Sequence, residues 1–154
     1  MFENFYIFAS VNPILMEERL SIEDIGGRLR ASGLKVTNQR IAVYRALASL
    51  GHASVDSIVS EVRRTLPVVT VAAVYNILET MAESGLIGRV LSTGRKIYDI
   101  TPAYHDHLIV DDGCEVVDLE DPEIRKLVEM HLSGKSFEGY RVRGARLYVD
   151  VEKI

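Results

Sequence analysis

The sequence predicts an α+β protein built in two small halves, on three observations. The first half shows four helical stretches in succession, each opened by a side chain able to cap it. After Gly85 the apolar period shortens from that of a helix to that of a strand. The second half then sets short β-branched runs around a single helical stretch. With 154 residues the chain has room for one core or two small ones, at about 100–150 residues per domain, and a multidomain enzyme is excluded. A composition of 47% apolar and 26% charged residues is that of a globular protein with a buried core.

The opening MFENFYIFASVNPILM is apolar, but Glu3, Asn4, Asn12 and Pro13 interrupt it and no basic run precedes it. It is too short to span a bilayer, so residues 1–16 read as an N-terminal extension, with no export signal and no membrane partner. Ser21 then opens SIEDIGGRLRAS, with Glu23 and Asp24 in the first turn to suit the helix dipole and Gly33 beyond its end. Thr37 opens NQRIAVYRALASL, where Ile41, Val43, Tyr44, Leu47 and Leu50 recur at helical spacing; Gly51 closes it, and Gly51-His52-Ala53-Ser54 reads as a turn. Ser54 opens VDSIVSEVRRTL, stopped by Pro67. Thr70 caps VAAVYNILETMAES, whose buried stripe is Val71, Val74, Leu78 and Met81, ended by Gly85. Ile87 to Leu91 and Lys96 to Ile100, joined by Ser92-Thr93-Gly94, read as a hairpin carrying Arg89, Arg95 and Lys96.

Helices at helix-turn-helix spacing followed by a basic hairpin have the layout of a winged helix, in which one helix offers its N-terminal residues to base edges and the hairpin touches the neighbouring backbone. The same pattern also serves protein-interaction modules, and the residues alone leave both readings open. The predicted boundaries are a first half over 17–100 and a second half over 101–154, with Thr101-Pro102-Ala103-Tyr104 as the hinge. In the second half HLIVDD and EVVDL read as an antiparallel pair split by Gly113, Pro122 starts the helix PEIRKLVEMHL, and YRVRGARLYVDVEKI reads as a strand with a bulge or turn near Gly144. So small a half buries little core alone, which predicts pairing with a second copy.

Charge divides in the same way. The net charge of −4 hides 11 Lys/Arg against 8 Asp/Glu over residues 17–98 and 7 against 13 over residues 99–154. A mildly basic half suits phosphates and an acidic one suits divalent cations. Cys114 is the lone cysteine, so no intrachain disulfide and no CxxC pair can form; the chain reads as cytoplasmic.

Chemistry concentrates at His105-Asp106-His107. On a strand His105 and His107 share one face while Asp106 points away, so two imidazoles can grip an ion from the same side. Asp99 and Asp118 can add oxygen ligands, and His52 joins them only if the fold brings it near. Imidazole with carboxylate suits Fe(II), Mn(II) or Zn(II); the lack of thiolate argues against copper(I) or an iron–sulfur cluster. Two strand histidines also read as a polar rim, and the residues alone do not separate the two.

Several ordered motifs carry a resemblance: Gly33-Leu34-Lys35-Val36-Thr37-Asn38-Gln39-Arg40, Gly51-His52-Ala53-Ser54, Ala73-Val74-Tyr75-Asn76-Ile77-Leu78, Glu83-Ser84-Gly85-Leu86-Ile87 and His105-Asp106-His107-Leu108-Ile109. In their order and separations the chain resembles the ferric uptake regulator family of metal-responsive repressors over about residues 22–152. The resemblance implies a winged-helix DNA-binding half, an α/β dimerisation half, and one regulatory divalent metal, Fe(II) or Mn(II) with Zn(II) also accepted, held by His52, Asp99, His105, His107 and Asp118. It implies DNA contacts from Lys35, Arg40, Thr70, Tyr75 and Asn76, a homodimer, and an AT-rich palindromic operator duplex as partner.

Departures from the family pattern are specific. Val110 and Gly113 occupy the usual places of a CxxC pair, with Cys114 one step beyond, so a structural four-cysteine zinc site is not expected. Arg125 and Ala145 stand where partners of Asp106 in a further metal site would fall, which predicts one metal per chain. Asp118, Asp99 and Val-Tyr-Asn are similar to the peroxide-sensing branch; the missing cysteines, Val-Val-Asp-Leu-Glu-Asp-Pro and Glu-Gly-Tyr resemble the haem-answering iron-response branch, although no Cys-Pro haem motif is present. Cys114 reads as a small buried thiol and His131 as a solvated helical residue. The rival from another class is a metal-dependent hydrolase, but no general base or phosphate-binding glycine loop stands beside the histidines.

Overall fold

The computed structural model describes residues 20–91, 94–113 and 115–154; the extension over 1–16, Ser92 and Thr93 of the hairpin connection, and Cys114 lie outside the described residues. The chain divides into two compact units, one ending at Ala103 and the other running from Tyr104 to Ile154.

Four helices of the first unit start at the side chains that the sequence marks: α1 (Ile22–Ala31), α2 (Asn38–Leu50), α3 (Val55–Val62) and α4 (Val71–Glu83). Ser21 and Asp24 cap α1 reciprocally, each side chain accepting from the other's backbone N–H at 3.0 Å. Thr37, Ser54 and Thr70 accept from Arg40, Ser57 and Ala73 N–H at 3.2, 3.3 and 3.1 Å. Each cap is worth about 1 kcal/mol. Ile25 and Leu29 of α1, Val43 and Leu47 of α2, Ile58 and Val62 of α3, and Val74, Leu78 and Met81 of α4 share one buried cluster. Burial stabilises each such side chain by about 1.5–3 kcal/mol.

Three features differ from expectation. Val71, expected in the buried stripe of α4, is 46% exposed. Helix α3 stops at Val62, a turn short of Pro67, because the N–H groups of Arg64 and Thr65 turn back to Glu61 and Val62 carbonyls three residues earlier. The Arg63 Nε reaches forward to the Val69 carbonyl at 3.3 Å, which holds the reversal into α4. The segment after Gly51, expected as a turn, carries strand β1 (His52–Ser54), too short for any period to reveal. Strands β2 (Gly88–Leu91) and β3 (Lys96–Asp99) form the expected antiparallel hairpin, and β1 adds to the free edge of β3, giving the order β1-β3-β2. A strand between the second and third helices that pairs with the hairpin is winged-helix topology.

The second unit holds β4 (Asp106–Val110), a turn at Asp111–Gly113, β5 (Glu115–Leu119), α5 (Pro122–Ser133) and β6 (Tyr148–Val151). The sheet order is β5-β4-β6, with β5 antiparallel and β6 parallel to β4. Asp121 caps α5, its carboxylate accepting from Glu123 and Ile124 N–H at 3.0 Å, and Pro122 takes the first helical position. Over residues 140–154, where a strand with a bulge or turn near Gly144 is expected, residues 141–147 form no strand. Only Tyr148–Val151 joins the sheet, because the groups before it bind side chains: the Ala145 carbonyl accepts from Arg125 and the Leu147 N–H donates to Asp106. The fold is α+β. Among the described residues no helix is long and apolar enough to cross a membrane.

Candidate metal centre and nucleic-acid interface

In the first unit, strand register creates a His–Asp pair. Gly51 adopts φ +73°, a left-handed conformation that closes α2 and turns the chain into β1. The β1–β3 register then sets His52 opposite Asp99. His52 Nε2 lies 3.3 Å from Asp99 Oδ2, and the aspartate is almost fully buried. Its other oxygen, Oδ1, accepts the Thr101 N–H at 2.7 Å, which fixes the plane of the carboxylate. On the far side of β3, Gly88 faces Asp99; a Cβ there would stand 3.0 Å from the Thr101 carbonyl oxygen.

In the second unit the same device recurs. His107 of β4 faces Asp118 of β5 in register. Asp118 Oδ1 lies 3.0 Å from His105 Nε2 and 3.7 Å from His107 Nε2. The two imidazole rings are 4.3 Å apart, and the donor atoms of His105, His107 and Asp118 all lie within 4.8 Å of one another. His107 is buried and stacks on Tyr148 of β6 at 5.7 Å and 10°. Asp106 faces away, as strand alternation requires. Its carboxylate accepts from Arg125 at 3.0 Å and from the Leu147 N–H at 2.8 Å, while the same Arg125 nitrogen donates to the Ala145 carbonyl at 2.9 Å. A guanidinium and a backbone amide therefore satisfy that carboxylate.

The donors in both units are imidazole nitrogens and carboxylate oxygens. That set fits Fe(II), Mn(II) or Zn(II), and nothing in it is soft enough to prefer copper(I).

The residues expected to meet DNA lie on the first unit. Lys35, Thr70, Tyr75 and Asn76 are exposed. Thr70 caps α4, so its hydroxyl oxygen stands at the helix N-terminus, where unpaired N–H groups attract anions. Tyr75 is 39% exposed although aromatic, which separates it from the buried stripe of α4. Arg40 is half-buried and donates to the Lys35 carbonyl at 2.8 Å, so part of its guanidinium holds the Lys35 loop. Sequence reasoning missed a network around Glu79. Its carboxylate accepts from Lys96 at 3.0 Å, from Arg89 at 3.0 and 3.4 Å, and from the Tyr98 hydroxyl. Burial alone would raise the Glu79 pKa, but the hydrogen bonds from Tyr98, Arg89 and Lys96 outweigh it and hold the carboxyl at about 2. Burial and then the same carboxylate push the Tyr98 phenol up. The available signal was the four-residue step from Tyr75 to Glu79, which puts both on one helical face.

Comparison with known proteins agrees with this architecture. The model of the ferric uptake regulator family matches residues 31–149. The transcriptional regulator FurA of Mycobacterium tuberculosis is 34% identical over 98 residues, covering 63% of this chain and 67% of that one. The peroxide operon regulator of Bacillus subtilis is 27% identical over 118 residues, covering 74% and 81%. The structure of the ferric uptake regulator from Pseudomonas aeruginosa with manganese superposes with a TM-score of 0.69 at 27% identity, covering 84% of this chain and 97% of that one. The chain belongs to the ferric uptake regulator family.

Proposed function

We propose that the chain is a homodimeric, metal-dependent transcriptional repressor of the cytoplasm, acting on metal-homeostasis or peroxide-stress genes through an AT-rich palindromic operator. One observation carries the reading: each compact unit presents its own His–Asp group, His52 with Asp99 on paired strands, and His107 of β4 together with His105 just before it against Asp118 of β5. These five residues would hold one divalent ion per chain, Fe(II) or Mn(II) in function, with Zn(II) chemically acceptable. When bound, such an ion supplies Lewis-acid attraction for all the donors at once, and this acts on function only by favouring one conformation over another. His52 and Asp99 tie that preference to the winged helix; His105, His107 and Asp118 tie it to the second unit. Lys35, Arg40 and Thr70 would then meet phosphates, while Tyr75 and Asn76 of α4 read base edges, the tyrosine ring against a thymine methyl.

The hydrolase reading has no support. Five protein ligands leave little room for substrate, and family members are transcription regulators.

Titration of AT-rich palindromic duplexes with the chain, with and without Mn(II), tests the proposal. Mn(II) should tighten binding about 5–150-fold, the usual range of a coupling between two ligands. Affinity indifferent to metal removes the switch, and no binding at low salt removes the DNA reading.

A further inference from the structure

The Glu79 network places an acid on the face that should meet phosphates. Glu79 lies one helical turn beyond Tyr75 on α4, and the three groups that donate to it, from Arg89, Lys96 and Tyr98, all belong to the hairpin. Arg89 and Tyr98 are cross-strand partners, so the hairpin register alone points both at the carboxylate. Arg89 approaches as a fork, through Nε and a terminal nitrogen, which fixes direction as well as distance. Lys96 does more than neutralise Glu79. Its ammonium also donates to the Tyr75 hydroxyl at 3.1 Å and sits 5.0 Å from the centre of the tyrosine ring. An exposed tyrosine with two free side-chain torsions would otherwise lose orientational entropy on binding.

We propose that Glu79 is a positioning residue for DNA reading: it locks the wing hairpin to α4 and, through Lys96, holds the Tyr75 ring in its exposed reading pose. The inference rests on the DNA-binding reading above and adds a role that charge alone argues against. An anion near the duplex weakens attraction for any sequence, so removing it should strengthen non-specific binding. A positioning group has the opposite sign for a specific site.

The test uses the full chain with Mn(II), a duplex selected by the wild type from a randomised pool, and an unselected duplex of equal length. Glu79→Ala should weaken the selected duplex about tenfold, the worth of one base contact, while the unselected duplex binds as well or better. Glu79→Gln keeps an acceptor for Lys96 and Tyr98 and should recover part of the loss. Tyr98→Phe removes one donor and keeps the ring in the core, so it should show a smaller loss in the same direction if Glu79→Ala fails to fold. Nuclear Overhauser contacts between the Tyr75 ring and the Lys96 methylenes, read without DNA, should vanish in Glu79→Ala and persist in Glu79→Gln. Equal tightening of both duplexes, or unchanged discrimination with the contacts intact, overturns the proposal. A wild type that selects no duplex while Glu79→Ala still loses the contacts overturns the DNA reading and leaves Glu79 as the residue that orders Tyr75.

Discussion

His105 and His107 are neighbours in sequence and chemically alike, yet they answer different questions under mutation. His107 is buried and stacked on Tyr148, so removing it takes away packing as well as a donor. His105 keeps 23% of its side chain exposed, so His105→Ala deletes a ligand with little loss of core. It should lower Mn(II) affinity at least about tenfold by calorimetry, as loss of even a supporting group does, and leave the metal-free melting temperature nearly unchanged. An unaltered Mn(II) isotherm removes His105 from the site. Glu79 offers a second residue-level test, in pH. Its folded pKa of about 2 lies below the ordinary glutamate value of 4.5, so its share of stability is complete above 4.5 and is lost as pH falls toward 2. Glu79→Gln should flatten acid unfolding over that window. These roles were unevenly legible. The HxH spacing was readable because a two-residue step in extended chain puts both imidazoles on one side; the register that sets Asp118 opposite His107 comes from strand pairing, which no local period encodes. The Glu79 network was not readable, because it joins a helix to both strands of a hairpin across sequence separations that no local pattern encodes.

Among the elements, the four helices of the first unit were legible because each begins at a capping side chain and keeps a 3.6-residue stripe. Strand β1 escaped, and with it the reason why His52 belongs with Asp99. Three residues carry no period, and only pairing with β3 makes them a strand. Before β6 the change of parity near Gly144 was legible, but not that residues 141–147 leave the sheet: Gly144 lies against the Tyr104 ring, where a Cβ would come within 3.0 Å, and the backbone there binds side chains. Gly88 is the element-scale device with the clearest consequence. It leaves space for Thr101, whose N–H orients Asp99. Gly88→Val should push that segment aside, weakening Mn(II) binding while the hairpin stays folded, as seen by retained far-ultraviolet circular dichroism. Full Mn(II) affinity in this variant would mean that Asp99 does not need the Thr101 amide.

For the molecule as a whole, the two units differ in what they leave uncovered. The winged helix closes its own core. The second unit does not: α5 buries none of its residues, and Leu127 and Met130 are 65% and 61% exposed, with Phe137, Tyr140 and Val142 also open to solvent. An amphipathic helix with its apolar stripe in water has not found its partner. On the proposed reading a second copy of the chain would cover this face, and a palindromic operator, with its two half-sites, would require two reading heads related by a two-fold axis. Leu127→Glu with Met130→Glu places like charges opposite one another in such an interface. Sedimentation should shift the chain from dimer to monomer while each unit stays folded. Operator affinity should fall by far more than affinity for an isolated half-site, since linkage of two heads can contribute about 10²–10⁴. A double variant that still sediments as a dimer would show that α5 faces something other than its own copy. One that becomes a monomer yet binds the operator unchanged would show that the second unit is not what brings two reading heads to the DNA.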